Sequence, residues 1–144
     1  MTDFNFSIPI DVRYGDLDPQ WHVNNVRFLT FLEHARLKYL MALNLFDGRN
    51  FFDFNLIVAD IHITYLAPIT LDQEIKVWMK TDRIGHKSLT FVYEIRDEET
   101  QEVMAKAETI MVAYDYKTQK SIPVSDTWRK AISQLEGVDF SRNN

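Results

Sequence analysis

The chain is 144 residues long, 46% hydrophobic and 13% aromatic, which fits one domain over residues 1–144 and excludes a disordered chain. Its 16 basic and 21 acidic residues leave a formal charge of −5, so the excess basic face of a nucleic-acid binder is not expected. There is no cysteine, which removes disulfides, thiolate zinc sites, iron–sulfur clusters and cysteine nucleophiles together.

Met1-Thr2-Asp3-Phe4-Asn5 has neither a basic nor an apolar leader segment, so a cytoplasmic protein is expected. Phe4, Phe6, Ile8, Ile10, Val12 and Tyr14 share one parity, the pattern of a strand with one buried face. Gly15 to Asn24 is polar and reads as a loop, with Asn24 as N-cap. A helix is predicted from Asn25 to about Leu43. It is apolar on nearly all sides, so it should be buried and wrapped by a sheet. Within it, Glu33 and Arg36 are three apart and read as a pair. Asn44 to Asp53, with Gly48, is the exit loop. No apolar run approaches the ~20 residues of a membrane-spanning helix.

From Leu56 the pattern turns to strands. Leu56 to Leu66 is β-branched and aromatic and stops at Pro68. Glu74 to Ile84 alternates through Ile75, Val77, Met79 and Thr81. Gly85-His86-Lys87 makes a turn, and Ser88 to Arg96 follows with Leu89, Phe91, Tyr93 and Ile95 on one parity. Asp97 to Gln101 is a polar hairpin loop, and Glu102 to Tyr116 is the last long strand. Ser125 to Leu135 is a short helix capped by Ser125 or Asp126 and ended by Gly137. Hairpin-length links make the late strands antiparallel. The fold class is therefore α+β, one curved antiparallel sheet around a long central helix. Its open edges call for pairing with a second subunit.

The loop before the long helix holds the chemistry: Asp16-Leu17-Asp18-Pro19-Gln20-Trp21-His22-Val23-Asn24-Asn25. A helix start offers unpaired N–H groups and a positive dipole end. Asp18 could activate a water or attack a carbonyl itself; it could equally be an Asx-turn residue, since Asp-Pro is a common turn dipeptide. Asp16 reads as structural. His22 could orient Asp18, bond a substrate or only bond backbone. The Asn25 N–H is a candidate oxyanion donor, worth roughly 3–4 kcal/mol. Arg83, His86 and Lys87, with Ser88 just after, form a local basic cluster suited to phosphates or simply to water. No His, Asp or Glu spacing resembles a metal site, so no metal is expected. Four scattered glycines exclude a phosphate loop, and no Gly-x-Ser-x-Gly is present.

From about Ile8 to Arg129 the chain resembles the hotdog-fold thioesterases, in particular the 4-hydroxybenzoyl-CoA thioesterase-like acyl-CoA hydrolases. The resemblance rests on the Asp16-x-Asp18 loop, on Tyr65-Leu66-Ala67-Pro68-Ile69, on Ile84-Gly85-His86-Lys87-Ser88 and on Val112-Ala113-Tyr114-Asp115. The segment from Asp16 to Phe28 is also similar to one unit of plant acyl-ACP thioesterases. Gln20 stands where those have a catalytic asparagine, and Gly85 replaces a basic residue of some relatives. The resemblance implies Asp18 as nucleophile or general base, His22 in support, and the Asn25 amide polarising the thioester carbonyl. It implies His86 and Lys87 on coenzyme A phosphates, no cofactor beyond the coenzyme A of the substrate, and a homodimer or dimer of dimers. The expected reaction is hydrolysis of an acyl-CoA, or of an acyl-carrier-protein thioester, with no nucleic-acid or membrane partner. A hotdog enoyl-CoA hydratase or dehydratase would want an Asp-x-Asn-Pro-type spacing, and here Asp18 itself precedes Pro19. A non-catalytic acyl-CoA binder would keep the pocket without the carboxylate.

Overall fold

Alternation builds the sheet. In the computed structural model, which describes residues 4–141, β3 (Ile75–Ile84), β4 (Ser88–Asp97) and β5 (Val103–Asp115) lie antiparallel in sequence order. Register Val77↔Ile95 and Ile95↔Ala105 puts Val77, Met79, Leu89, Phe91, Tyr93, Ile95, Ala105 and Met111 on one buried face. β1 (Phe6–Ile10) pairs with β3, and β2 (Leu56–Tyr65) pairs with β5, giving the order β1-β3-β4-β5-β2. A short β6 (Lys120–Ser121) extends the end of β5. The leader reading on Met1 to Asp3 lies outside the described residues.

The long helix, α1 (Asn25–Ala42), lays Phe28, Phe31, Leu32, Ala35, Tyr39 and Leu40 against that face. Tyr39 meets Phe91 edge-on with centroids 5.6 Å apart. Phe28, Phe31, Leu32 and Leu40 each contribute about 1.5–3 kcal/mol by leaving water, and the helix is what brings them to one face. The second helix, α2 (Asp126–Glu136), starts on the Ser125 hydroxyl, which accepts the Trp128 N–H at 3.2 Å, and ends on Gly137 at φ 70°.

Two expectations are corrected. The first strand ends at Ile10, not Tyr14: its last pair is Ile10↔Ile75, and a 3-10 turn over Tyr14–Asp16 leaves Tyr14 75% exposed. The helix is buried on one side rather than on nearly all. Val26, Glu33, His34 and Lys38 face water. Arg36 turns inward, its Nη1 donating to the Tyr93 hydroxyl at 3.4 Å, so it does not pair with Glu33.

Candidate active site

The polar segment before α1 is a small hairpin, not an irregular loop. Leu17 bridges Val23, the Asp18 N–H donates to the His22 carbonyl at 2.8 Å, and the Asn24 N–H donates to the Asp16 carbonyl at 2.8 Å. The tip closes through the Trp21 N–H on the Asp18 carbonyl at 3.0 Å, with Trp21 in the left-handed region at φ 66°. The hairpin docks on the segment before β3, through His22 bridging Thr70 and the Val23 N–H on the Ile69 carbonyl.

The two aspartates have separate roles in this geometry. Asp16 is buried. Its Oδ2 accepts the Arg13 N–H at 2.9 Å, and its Oδ1 lies 3.4 Å from Arg13 Nη2 and 3.8 Å from Arg27 Nε. It ties the hairpin to α1. Asp18 is half-buried. Its Oδ1 accepts the Gln20 N–H at 2.8 Å and the His22 N–H at 3.2 Å, an Asx-turn arrangement. Its Oδ2 accepts no hydrogen bond from the described residues. The two main-chain bonds to Oδ1 fix the carboxyl.

At the mouth of α1, Asn24 Oδ1 accepts the Val26 N–H at 2.9 Å, and the Arg27 N–H donates to the Asn24 carbonyl. The Asn25 N–H is bonded by no described residue, as an oxyanion donor must be. Asp18 stands two residues up the hairpin from the Asp16–Asn24 pair that adjoins this amide, about 7 Å along the strand. Tyr65, at the end of β2, donates its hydroxyl to the Asn25 carbonyl at 2.8 Å and meets Phe28 edge-on at 5.0 Å. Nothing in its spacing marks Tyr65 as part of this site; only the β2 register brings it there.

Arg83, His86, Lys87 and Ser88 lie elsewhere. Arg83, His86 and Lys87 are exposed around the β3–β4 turn, which the Gly85 N–H closes on the Ser88 carbonyl at 2.8 Å. Ser88 pairs with Val112, which pairs with Ile57 near the start of β2; Tyr65 pairs with Ala105 at the other end. The turn and the Asp18 hairpin are therefore separated by nearly the length of β2, about 30 Å. Asp18, His22 and Asn25 come together within the chain; the basic turn does not join them. Among the described residues, no cluster of three or more His, Asp or Glu gathers as a metal site would.

Residues 12–132 match the model of the thioesterase-like superfamily. The chain belongs to that superfamily. It is 31% identical over 126 residues to the long-chain acyl-CoA thioesterase FadM of Escherichia coli, covering 88% of this chain and 96% of that protein. It is 27% identical over 138 residues to the acyl-CoA thioesterase YbgC of Haemophilus influenzae, covering 94% of this chain and all of that protein (100%). A Thermus thermophilus thioesterase solved with coenzyme A and zinc superposes with TM-score 0.83 at 31% identity, over 95% of this chain and 98% of that one. The fold of this superfamily member is the hotdog arrangement, an antiparallel sheet curved around one helix.

Proposed function

We propose that the protein hydrolyses acyl-CoA thioesters to a free acid and coenzyme A. The observation that carries this is Asp18, in the hairpin that leads into α1, with one oxygen fixed by two main-chain N–H groups and the other accepting no hydrogen bond from the described residues. With Asp18 as base, Oδ2 takes a proton from water as the water oxygen bonds to the thioester carbon. The carbonyl oxygen becomes an oxyanion, on which the Asn25 N–H donates. Collapse breaks the C–S bond, and the thiolate takes up the proton. With Asp18 as nucleophile, Oδ2 bonds to the thioester carbon and the C–S bond breaks to release the thiolate; water then cleaves the acyl–carboxylate anhydride, giving the acid and restoring the carboxylate, and a proton from that water passes to the thiolate. His22 holds Asp18 through its own main-chain N–H, so the hairpin conformation sets the attack direction.

The reading also includes a second copy of the chain. Among the described residues β2 pairs on one side, with β5, and it shows Val58, Ile61 and Tyr65 at 40–43% exposure. Long apolar edge strands of this kind recruit a partner. Antiparallel pairing of β2 with its own copy sets the Tyr65 end of one subunit against the Leu56 end of the other. The Asp18 hairpin of one subunit then faces the basic turn of its partner, and each site is composite. A homodimer, alone or doubled into a tetramer, follows from this; the absence of cysteine suits the cytoplasm.

The experiment is a panel of acyl-CoA and acyl-carrier-protein thioesters with thiol release as readout. Release from acyl-CoA by the wild type, and its loss in Asp18→Asn, is the expected result. Equal rates for the two proteins would remove Asp18 from the mechanism. No thiol release from any acyl-CoA would overturn the reading.

A further inference from the structure

The strand β2 begins beside a cavity of about 100 Å3, lined by Asn55, Ala113, Ile122, Pro123, Val124, Ser125 and Trp128. That is the room of about three waters, enough for the edge of one planar ring. The proposed reaction has so far given this cavity no role. We propose that it receives the adenine ring of coenzyme A; this deepens the function proposed above and rests on it.

Three features fit that base. Trp128 is one of the residues that line it, and stacking on an aromatic side chain is a general way a protein holds a base. Pro123, Ile122 and Val124 supply an apolar wall. The Asn55 side-chain amide makes no hydrogen bond to the described residues, although its carbonyl accepts the Tyr114 N–H at 2.9 Å. A carboxamide carries a donor and an acceptor side by side, which match adenine N7 and its exocyclic amine in a bidentate pair.

The cavity is also fixed to the basic turn. The Val124 N–H donates to the His86 carbonyl at 2.9 Å, and the Ala113 N–H donates to the Lys87 carbonyl at 2.8 Å. Arg129 Nη2 donates to the Gly85 carbonyl. Base pocket and cationic turn thus form one rigid unit, so phosphates attached to the same nucleoside meet Arg83, His86 or Lys87. The geometry therefore separates the two thioester classes left open by the catalytic residues: acyl-CoA carries an adenine, and an acyl-carrier protein does not.

The test compares Asn55→Ala and Trp128→Leu with the wild type on an acyl-CoA and on the acyl-pantetheine of the same acyl group, which lacks the nucleotide. The expected result is a KM for acyl-CoA raised about tenfold in either variant, with kcat unchanged and acyl-pantetheine kinetics unmoved. Trp128→Phe keeps packing and a stacking face, so it should recover most of the affinity. Titration with adenosine 3′,5′-bisphosphate reads the pocket without turnover: the wild type should bind it, and Asn55→Ala should bind it about tenfold more weakly. An unchanged acyl-CoA KM in both variants, or equal losses on both substrates, overturns the adenine site and leaves the hydrolase intact. A wild type that binds the bisphosphate and hydrolyses nothing overturns the hydrolase and leaves the adenine site intact.

Discussion

Asp18 and Asp97 are held in the same way, and what each leaves unbonded separates them. Asp97 Oδ1 accepts the Glu99 and Thr100 N–H groups, both at 2.9 Å, and its Oδ2 accepts the Gln73 amide at 2.8 Å. Both oxygens are used, and the group has nothing to offer a substrate. The Thr100 N–H, with the Gln73 amide and the Glu99 N–H, holds its carboxyl below the ordinary carboxylate range. A folded pKa below the unfolded one stabilises the fold at and above neutral pH. That stabilisation is lost as pH falls from the ordinary value of about 3.9 toward the depressed one. Asp97→Asn should therefore lower the melting temperature near neutrality and flatten its fall in acid; parallel melting curves from pH 7 down to pH 2 would contradict this. Asp18 keeps Oδ2 unused. Asp18→Asn retains an Oδ1 acceptor for Gln20 and His22, so the hairpin should persist while general-base catalysis goes. We expect kcat to fall about 10²–10⁴-fold with melting temperature and KM little changed. A fall in melting temperature matching the fall in activity would reduce Asp18 to a turn residue.

At the scale of elements, Glu136 joins three of them. β1 begins at Phe6, opposite Met79, so the β1 ladder does not reach Thr81. Glu136, at the end of α2, fills the gap: its Oε2 accepts the Thr81 N–H at 2.9 Å and the hydroxyl of buried Tyr39 on α1. The Thr81 hydroxyl and Tyr39 hydroxyl are 2.8 Å apart, and burial pushes the Tyr39 phenol far above its ordinary value, so it acts as a donor at all working pH. Glu136→Leu strands the buried Thr81 N–H, while the Tyr39 hydroxyl can still donate to Thr81 Oγ1. It should cost about 1–3 kcal/mol in urea denaturation, while Glu136→Gln, which keeps a carbonyl acceptor, should cost less. Equal stability of wild type and Glu136→Leu would show that this donor finds another partner. Such a staple is illegible in the sequence, because Glu136 and Thr81 are 55 residues apart. Local period, by contrast, is legible: the odd-numbered run Leu89, Phe91, Tyr93, Ile95 reads directly as β4, and the apolar face of α1 reads as a helix packed on a sheet. The Asp16–Asn24 hairpin carries no such alternation; main-chain bonds and the left-handed Trp21 build it. So Asp18, His22 and Asn25 are legible as residue types beside a helix start, while the division of work between Asp16 and Asp18, and the part of Tyr65, need the fold.

At the scale of the whole molecule, the basic turn and the Asp18 hairpin sit at opposite ends of β2. In the proposed reaction a single acyl-CoA would meet both. If pairing is antiparallel across β2, each site takes Asp18 from one subunit and Arg83 and Lys87 from the other. A mixture then discriminates. Let one protein carry Asp18→Asn, and another carry Arg83→Glu with Lys87→Glu. Each homodimer has two damaged sites. In the mixed dimer, one site collects both lesions, and the other collects none, because its Asp18 and its basic turn come from different, undamaged halves. After unfolding and refolding the two together in equal amounts, half the dimers are mixed and each has one intact site. The rate at low acyl-CoA concentration should recover to about a quarter of wild type, above the mean of the two parents. If hairpin and turn of the same chain served one site, every site in the mixture would carry a lesion, and the rate would stay at the parental mean. That outcome would place the coenzyme A within a single subunit, and β2 pairing would lose its part in catalysis.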